Sequence, residues 1–102
     1  MDKPRITIDG AEIIIGPVKA KIWREAAKLK DLPPDEIISP EAMINFIVKA
    51  FSDSRVTVES VEKNLNLEEV YPMFLKTYGY VLELVTAGLA GANVGKKNEG
   101  NI

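Results

Sequence analysis

Among the 102 residues of this chain there is no cysteine and no histidine. Without cysteine there are no disulfides, no thiolate zinc sites and no thiol nucleophile. Without histidine the commonest general base and metal ligand is missing. Carboxylates, hydroxyls and amines remain, and no glycine-rich phosphate loop organises them. Neither an enzyme nor a bound cofactor or metal is expected. A dominant charge is lacking too: 13 Lys and Arg face 15 Asp and Glu, for a net charge of −2. A dedicated nucleic-acid binder is normally basic, so no nucleic-acid partner is expected. Long apolar runs are absent as well. Asp2, Lys3, Arg5 and Asp9 interrupt the first ten residues, so no apolar stretch of a secretory leader is expected there. The most apolar window, Tyr78 to Ala92, contains Glu83 and three glycines and falls short of the ~20 residues a spanning helix needs. The expectation is a cytoplasmic protein with no membrane partner.

The length suits one domain, and a chain of this size can fold without covalent staples. The pattern predicts an α+β fold, mainly α: an N-terminal β-hairpin followed by four helices over residues 1–90, then a disordered tail over 91–102. Arg5 to Ile8, Asp9-Gly10 and Ala11 to Ile15 read as two β-branched strands around a type I′ turn. Gly16-Pro17 ends the hairpin, and Pro17 suits a first helical position. Helix 1 is expected over 18–30, with Val18, Ile22, Ala26 and Leu29 on one face and Trp23 at its edge. The segment Asp31-Leu32-Pro33-Pro34-Asp35 breaks it.

Three helix starts share one design, an N-cap flanked by apolar residues that can meet across it. Ser39 precedes Pro40, with Ile38 and Met43 as the staple; Thr57 is flanked by Val56 and Val61; Asn66 is flanked by Leu65 and Val70, with Glu69 placed for a capping box. The predicted spans are 40–51, 58–65 and 67–90. Pro72 predicts a kink in the last helix, or a break with a new start there. Charge divides unevenly: residues 1–34 carry seven basic and five acidic residues, residues 35–90 four basic and nine acidic.

The last helix carries too much apolar circumference. At ~100° per residue, Glu68, Pro72, Lys76, Gly79, Glu83 and Thr86 share one narrow stripe. Nearly everything else to residue 89 is aliphatic or aromatic, roughly twice the stripe that a surface helix needs. Either the other elements wrap this helix entirely, or part of it, including Tyr71, Tyr78 or Tyr80, is offered to a partner or a second copy. Helix 2 shows a similar surplus, with Phe46 and Val48 flanking its core face. Trp23 and Arg24 form a further candidate binding pair, although a lone Trp at a helix edge is more often core. Lys21, Arg24 and Lys28 make a basic stripe suited either to solvent or to an acidic partner. Glu68 and Glu69 are adjacent, so they diverge by ~100° and answer the helix dipole rather than share a substrate.

Two stretches carry a family resemblance. Gly16-Pro17-Val18-Lys19-Ala20-Lys21-Ile22-Trp23-Arg24 follows a short hairpin, and Leu67-Glu68-Glu69-Val70-Tyr71-Pro72-Met73-Phe74 follows Val56-Thr57-Val58. Their order and flanking helices resemble the small tail assembly chaperones of long-tailed bacteriophages and prophages. The resemblance implies a non-enzymatic assembly factor in a bacterial host, whose partners are the major tail tube protein and the tape measure protein. It also implies a longer frameshifted product, with which Val94-Gly95-Lys96 is compatible through codons containing a slippery heptamer. Phe46, Tyr71, Phe74, Tyr78 and Tyr80 are then the contact candidates, joined by Trp23 and Arg24. The other expectation is a small helical interaction module, an adaptor or regulator, working as a homo-oligomer.

Overall fold

The computed structural model describes residues 2–31 and 38–101, with side chains through Ala87. The expected break at 31–35 falls largely outside these residues. The fold is α+β, mainly α: strands β1 (Arg5–Ile8) and β2 (Ala11–Ile14), then helices α1 (Ile22–Lys30), α2 (Pro40–Phe51), α3 (Val58–Asn64) and α4 (Leu67–Asn101).

The hairpin forms as its turn chemistry dictates. Asp9 and Gly10 both have positive φ, +51° and +82°, which a type I′ turn requires and which glycine tolerates without strain. Ile6 pairs with Ile13 in an antiparallel register, so both point to one face with Ile8 and Ile15, and all four are buried. Each buried isoleucine contributes about 1.5–3 kcal/mol as an upper estimate, enough together to hold a hairpin that is marginal alone. The turn is also tied down. Asp9 N–H donates to Asn64 Oδ1 at 2.8 Å, and Asn64 Nδ2 donates to the Ser60 carbonyl at 2.8 Å. The last turn of α3 thus fixes where the hairpin lies.

Helix α1 starts later than residue 18. Residues 19–24 are linked by N–H to i−3 carbonyl bonds, such as Ile22 to Lys19 at 3.0 Å, and Lys21 at the cap makes no side-chain cap bond. No Ser, Thr, Asp or Asn stands between Gly16 and Lys21 to cap an earlier start. Ile15 is meanwhile held to the hairpin by its N–H bond to the Pro4 carbonyl at 3.0 Å, so the chain leaves the sheet before it can coil.

The capped starts fall where the sequence puts them. Ser39 Oγ accepts from Ala42 N–H at 3.1 Å, with Pro40 at the first helical position. Thr57 and Ser60 form a reciprocal box, at 3.0 and 2.8 Å. At α4 the Glu69 carboxylate accepts Asn66 N–H at 2.8 Å, while Glu69 N–H goes to the Asn66 backbone carbonyl. Helix α4 passes through Pro72 without a break. Pro72 is exposed, so the Glu68 carbonyl it leaves without an amide partner lies on the solvent side. The helix also runs on to Asn101, past the expected end at residue 90 and through the stretch expected to be a disordered tail. After Pro72 no proline interrupts the amide ladder, and glycines weaken a helix without stopping it.

The most enclosed element is α2, not α4. It packs against α1, α3 and α4, and Met43, Ile44, Phe46, Ile47, Ala50 and Phe51 are all buried. Its apolar surplus is consumed internally. No helix among the described residues is long and apolar enough to cross a membrane.

Candidate interaction surface

The side chains of α4 sort into three arcs. Val70, Met73, Phe74, Thr77, Tyr80 and Val81 are buried and span about 120° of circumference. Thr77 is fully buried, and its hydroxyl is satisfied by donating to the Met73 carbonyl at 2.8 Å. The polar arc is the one read from the sequence, with Glu68, Pro72, Lys76, Glu83 and Thr86 exposed. Between the two lies a third arc of about 80° that is apolar and only partly covered. It holds Leu67, 77% exposed, Tyr71, 54% exposed, then Leu75, Leu82 and Val85, with Tyr78 half-buried among them.

The expected contact residues therefore separate. Phe46, Phe74 and Tyr80 are buried in the protomer and belong to its core. Phe46 meets Phe74 edge-on at 5.7 Å and Tyr78 at 5.8 Å, while Phe74 and Tyr78 stack at 5.5 Å. These separations suit aromatic attraction and weld α2 to α4. Tyr78 is the hinge between core and surface: one face belongs to the cluster, and the remainder stays accessible. Tyr71 is a surface residue.

Trp23 is also on the surface, 53% exposed, not the core residue that a lone Trp at a helix edge most often is. With Val18, Ala20, Val81, Leu84 and Val85 it lines a mainly apolar groove of about 380 Å³. Arg24 lies elsewhere, in a groove between α1 and α2 with Lys21, Lys28 and Lys49. Successive helical residues diverge, so the two side chains face different grooves. Glu25 sits inside that basic cluster, 3.3 Å from Lys49 Nζ and 3.8 Å from Lys28 Nζ, a link between α1 and α2 that the sequence did not reveal.

Among the described residues no three Asp or Glu side chains gather as a metal site. The clearest electrostatic perturbation is in the α2–α3 loop. Hydrogen bonds from the Arg55 guanidinium, and then from its backbone N–H, lower the Asp53 carboxyl to a pKa of about 2. That pair shapes a turn at the surface and lies on none of the arcs of α4. Glu69, spent on capping α4, is likewise structural. What the arc presents to solvent is apolar side chains beside a polar flank.

No family model matches the chain, and neither a curated protein nor a solved structure matches it.

Proposed function

We propose that this protein is a non-enzymatic tail assembly chaperone of a bacteriophage or prophage, acting in the bacterial cytoplasm. It holds unassembled tail tube protein, or the tape measure protein, through the exposed arc of α4 and the adjoining Trp23 groove. One observation carries the reading: Leu67, Tyr71, Leu75, Leu82 and Val85 stay exposed on a single line of one helix in a chain that has enough core without them. A tube subunit awaiting polymerisation presents apolar and strand-edge surface that must be covered reversibly. An apolar strip with a polar flank fits that duty, and the family resemblance supplies the client.

The gene neighbourhood is the first test, since tail tube and tape measure genes beside this one support the reading. The decisive experiment is co-production with the tail tube subunit. The wild type is expected to keep that subunit soluble and unpolymerised, and Leu82→Asp to lose this while remaining helical. Equal polymerisation with and without the protein overturns the assignment. The second reading, a helical module acting as a homo-oligomer, is favoured by the spacing of the same arc.

A further inference from the structure

We infer that the exposed arc of α4 is the seam of an antiparallel homodimer, with the two helices crossing near Gly79. This inference stands whether or not the tail-assembly reading holds; because both use the same arc, a bound client and the second copy compete for it.

Tyr71, Leu75, Tyr78, Leu82 and Val85 follow one another at alternating intervals of four and three. That is the 3.5-residue repeat of helices that pair along a seam, and it favours a second helix over a flat or extended partner. The last four of the series, Leu75, Tyr78, Leu82 and Val85, are spaced symmetrically about residue 80. A two-fold axis there sets each Tyr78 against the other copy's Leu82, and each Leu75 against its Val85. Every layer then joins dissimilar side chains, which interdigitate. A parallel pair stacks Tyr78 on Tyr78 and crowds two hydroxyls into the seam.

Charge is compatible with the same arrangement along the axis. Lys76 and Glu83 lie on the polar arc and not on the seam, and among the described residues neither has an ion-pair partner within its protomer. About the axis at residue 80, Lys76 of one copy comes level with Glu83 of the other to within about one residue rise, 1.5 Å. Parallel pairing sets Lys76 level with Lys76.

Gly79 adds an independent sign. It stands mid-helix beside the seam, and a Cβ placed there meets nothing within 4 Å. The described residues leave that side of the helix open, so a second backbone has room to approach there. Covered completely, the exposed apolar surface including Trp23 and Leu67 is on the order of 600 Å² per copy, or roughly 1,200 Å² for a symmetric pair, which reaches the lower bound of stable interfaces.

Sedimentation equilibrium of the full chain tests this. The wild type is expected to dimerise reversibly below about 0.1 mM, since interfaces near this size reach micromolar constants at their weak end. Leu82→Asp should raise the dissociation constant at least about 30-fold, as loss of a central anchor does, with an unchanged far-ultraviolet spectrum because Leu82 is exposed. Orientation is read by oxidation of cysteine variants, which is clean because the native chain has no cysteine. Leu75→Cys combined with Val85→Cys should cross-link into dimers, and Leu75→Cys alone should not. A wild type monomeric at 0.1 mM overturns the inference, as does a dimer indifferent to Leu82→Asp, or cross-linking through Cys at position 75 alone. A monomer that still keeps tail tube protein soluble overturns the dimer and leaves the proposed function intact.

Discussion

Phe74 and Leu75 are neighbours in sequence, and both are large and apolar, yet the first is 2% exposed and the second 45%. One sits on the arc of α4 that faces α2, the other on the arc that faces outward. The contrast shows that side-chain type does not decide burial on this helix. The number of elements that can reach it does. Helix α2 is flanked by three helices, whereas α4 packs on α1 and α2, so half of its apolar circumference is left over.

The sharpest way to break this contrast is one substitution at both positions. Phe74→Ala removes a ring held by Phe46 and Tyr78 and is expected to cost about 3–5 kcal/mol in urea unfolding, a large share of a small domain's stability. Leu75→Ala, measured under dilute monomeric conditions, should stay within about 0.5 kcal/mol. Equal losses would erase the distinction between the arcs. Threonine offers a gentler version. Thr77→Ala empties a fully buried site and its bond to the Met73 carbonyl, for an expected loss of about 1–2 kcal/mol. Thr86→Ala on the exposed polar arc should change stability by less than about 0.5 kcal/mol.

Gly79→Ala separates folding from association. The open space at its Cβ means that alanine should stabilise the monomer by about 0.5–1 kcal/mol. The same methyl should weaken dimerisation by holding the helices apart at their crossing. Thermal unfolding and sedimentation should therefore move in opposite senses.

The smallest effect is a control away from α4. Asp53 has its pKa lowered to about 2 by Arg55, so its titration should report the α2–α3 loop alone. A carboxylate with a depressed folded-state pKa contributes its stabilisation above the unfolded value, near 3.8, and loses it as pH falls through the folded one. The contribution is therefore full at neutral pH and fades between about 3.8 and 2. Carboxyl chemical shifts followed by NMR should give a midpoint close to 2 in the wild type and one shifted upward in Arg55→Gln.

Much of the fold was legible because it is local. Ser39 and Thr57 cap the helices they precede, and Asp9-Gly10 makes the turn that its positive φ values require. The surplus on α4 was legible as well, since periodicity counts apolar residues around a helix without needing to know its neighbours. The late start of α1 was not, because the bond from Ile15 to Pro4 that delays it spans the hairpin. Nor was the division of the aromatics: Phe46, Phe74 and Tyr80 go inside while Tyr71 and Trp23 stay out. Nothing in their local sequence distinguishes them.

The sequence by itself determined that there would be a hairpin, several capped helices and one helix with apolar residues on two of its three sides. Those properties follow from turn geometry, side-chain caps and a 3.6-residue period, all of which act over a few residues. Only the tertiary structure decided which of the two apolar sides is the core, because α2 packs along one of them and, among the described residues, the other is met only at its Val85 end by the Trp23 groove. It likewise set Trp23 beside Val85 and Arg24 beside Lys49, since consecutive residues on a helix must face different neighbours.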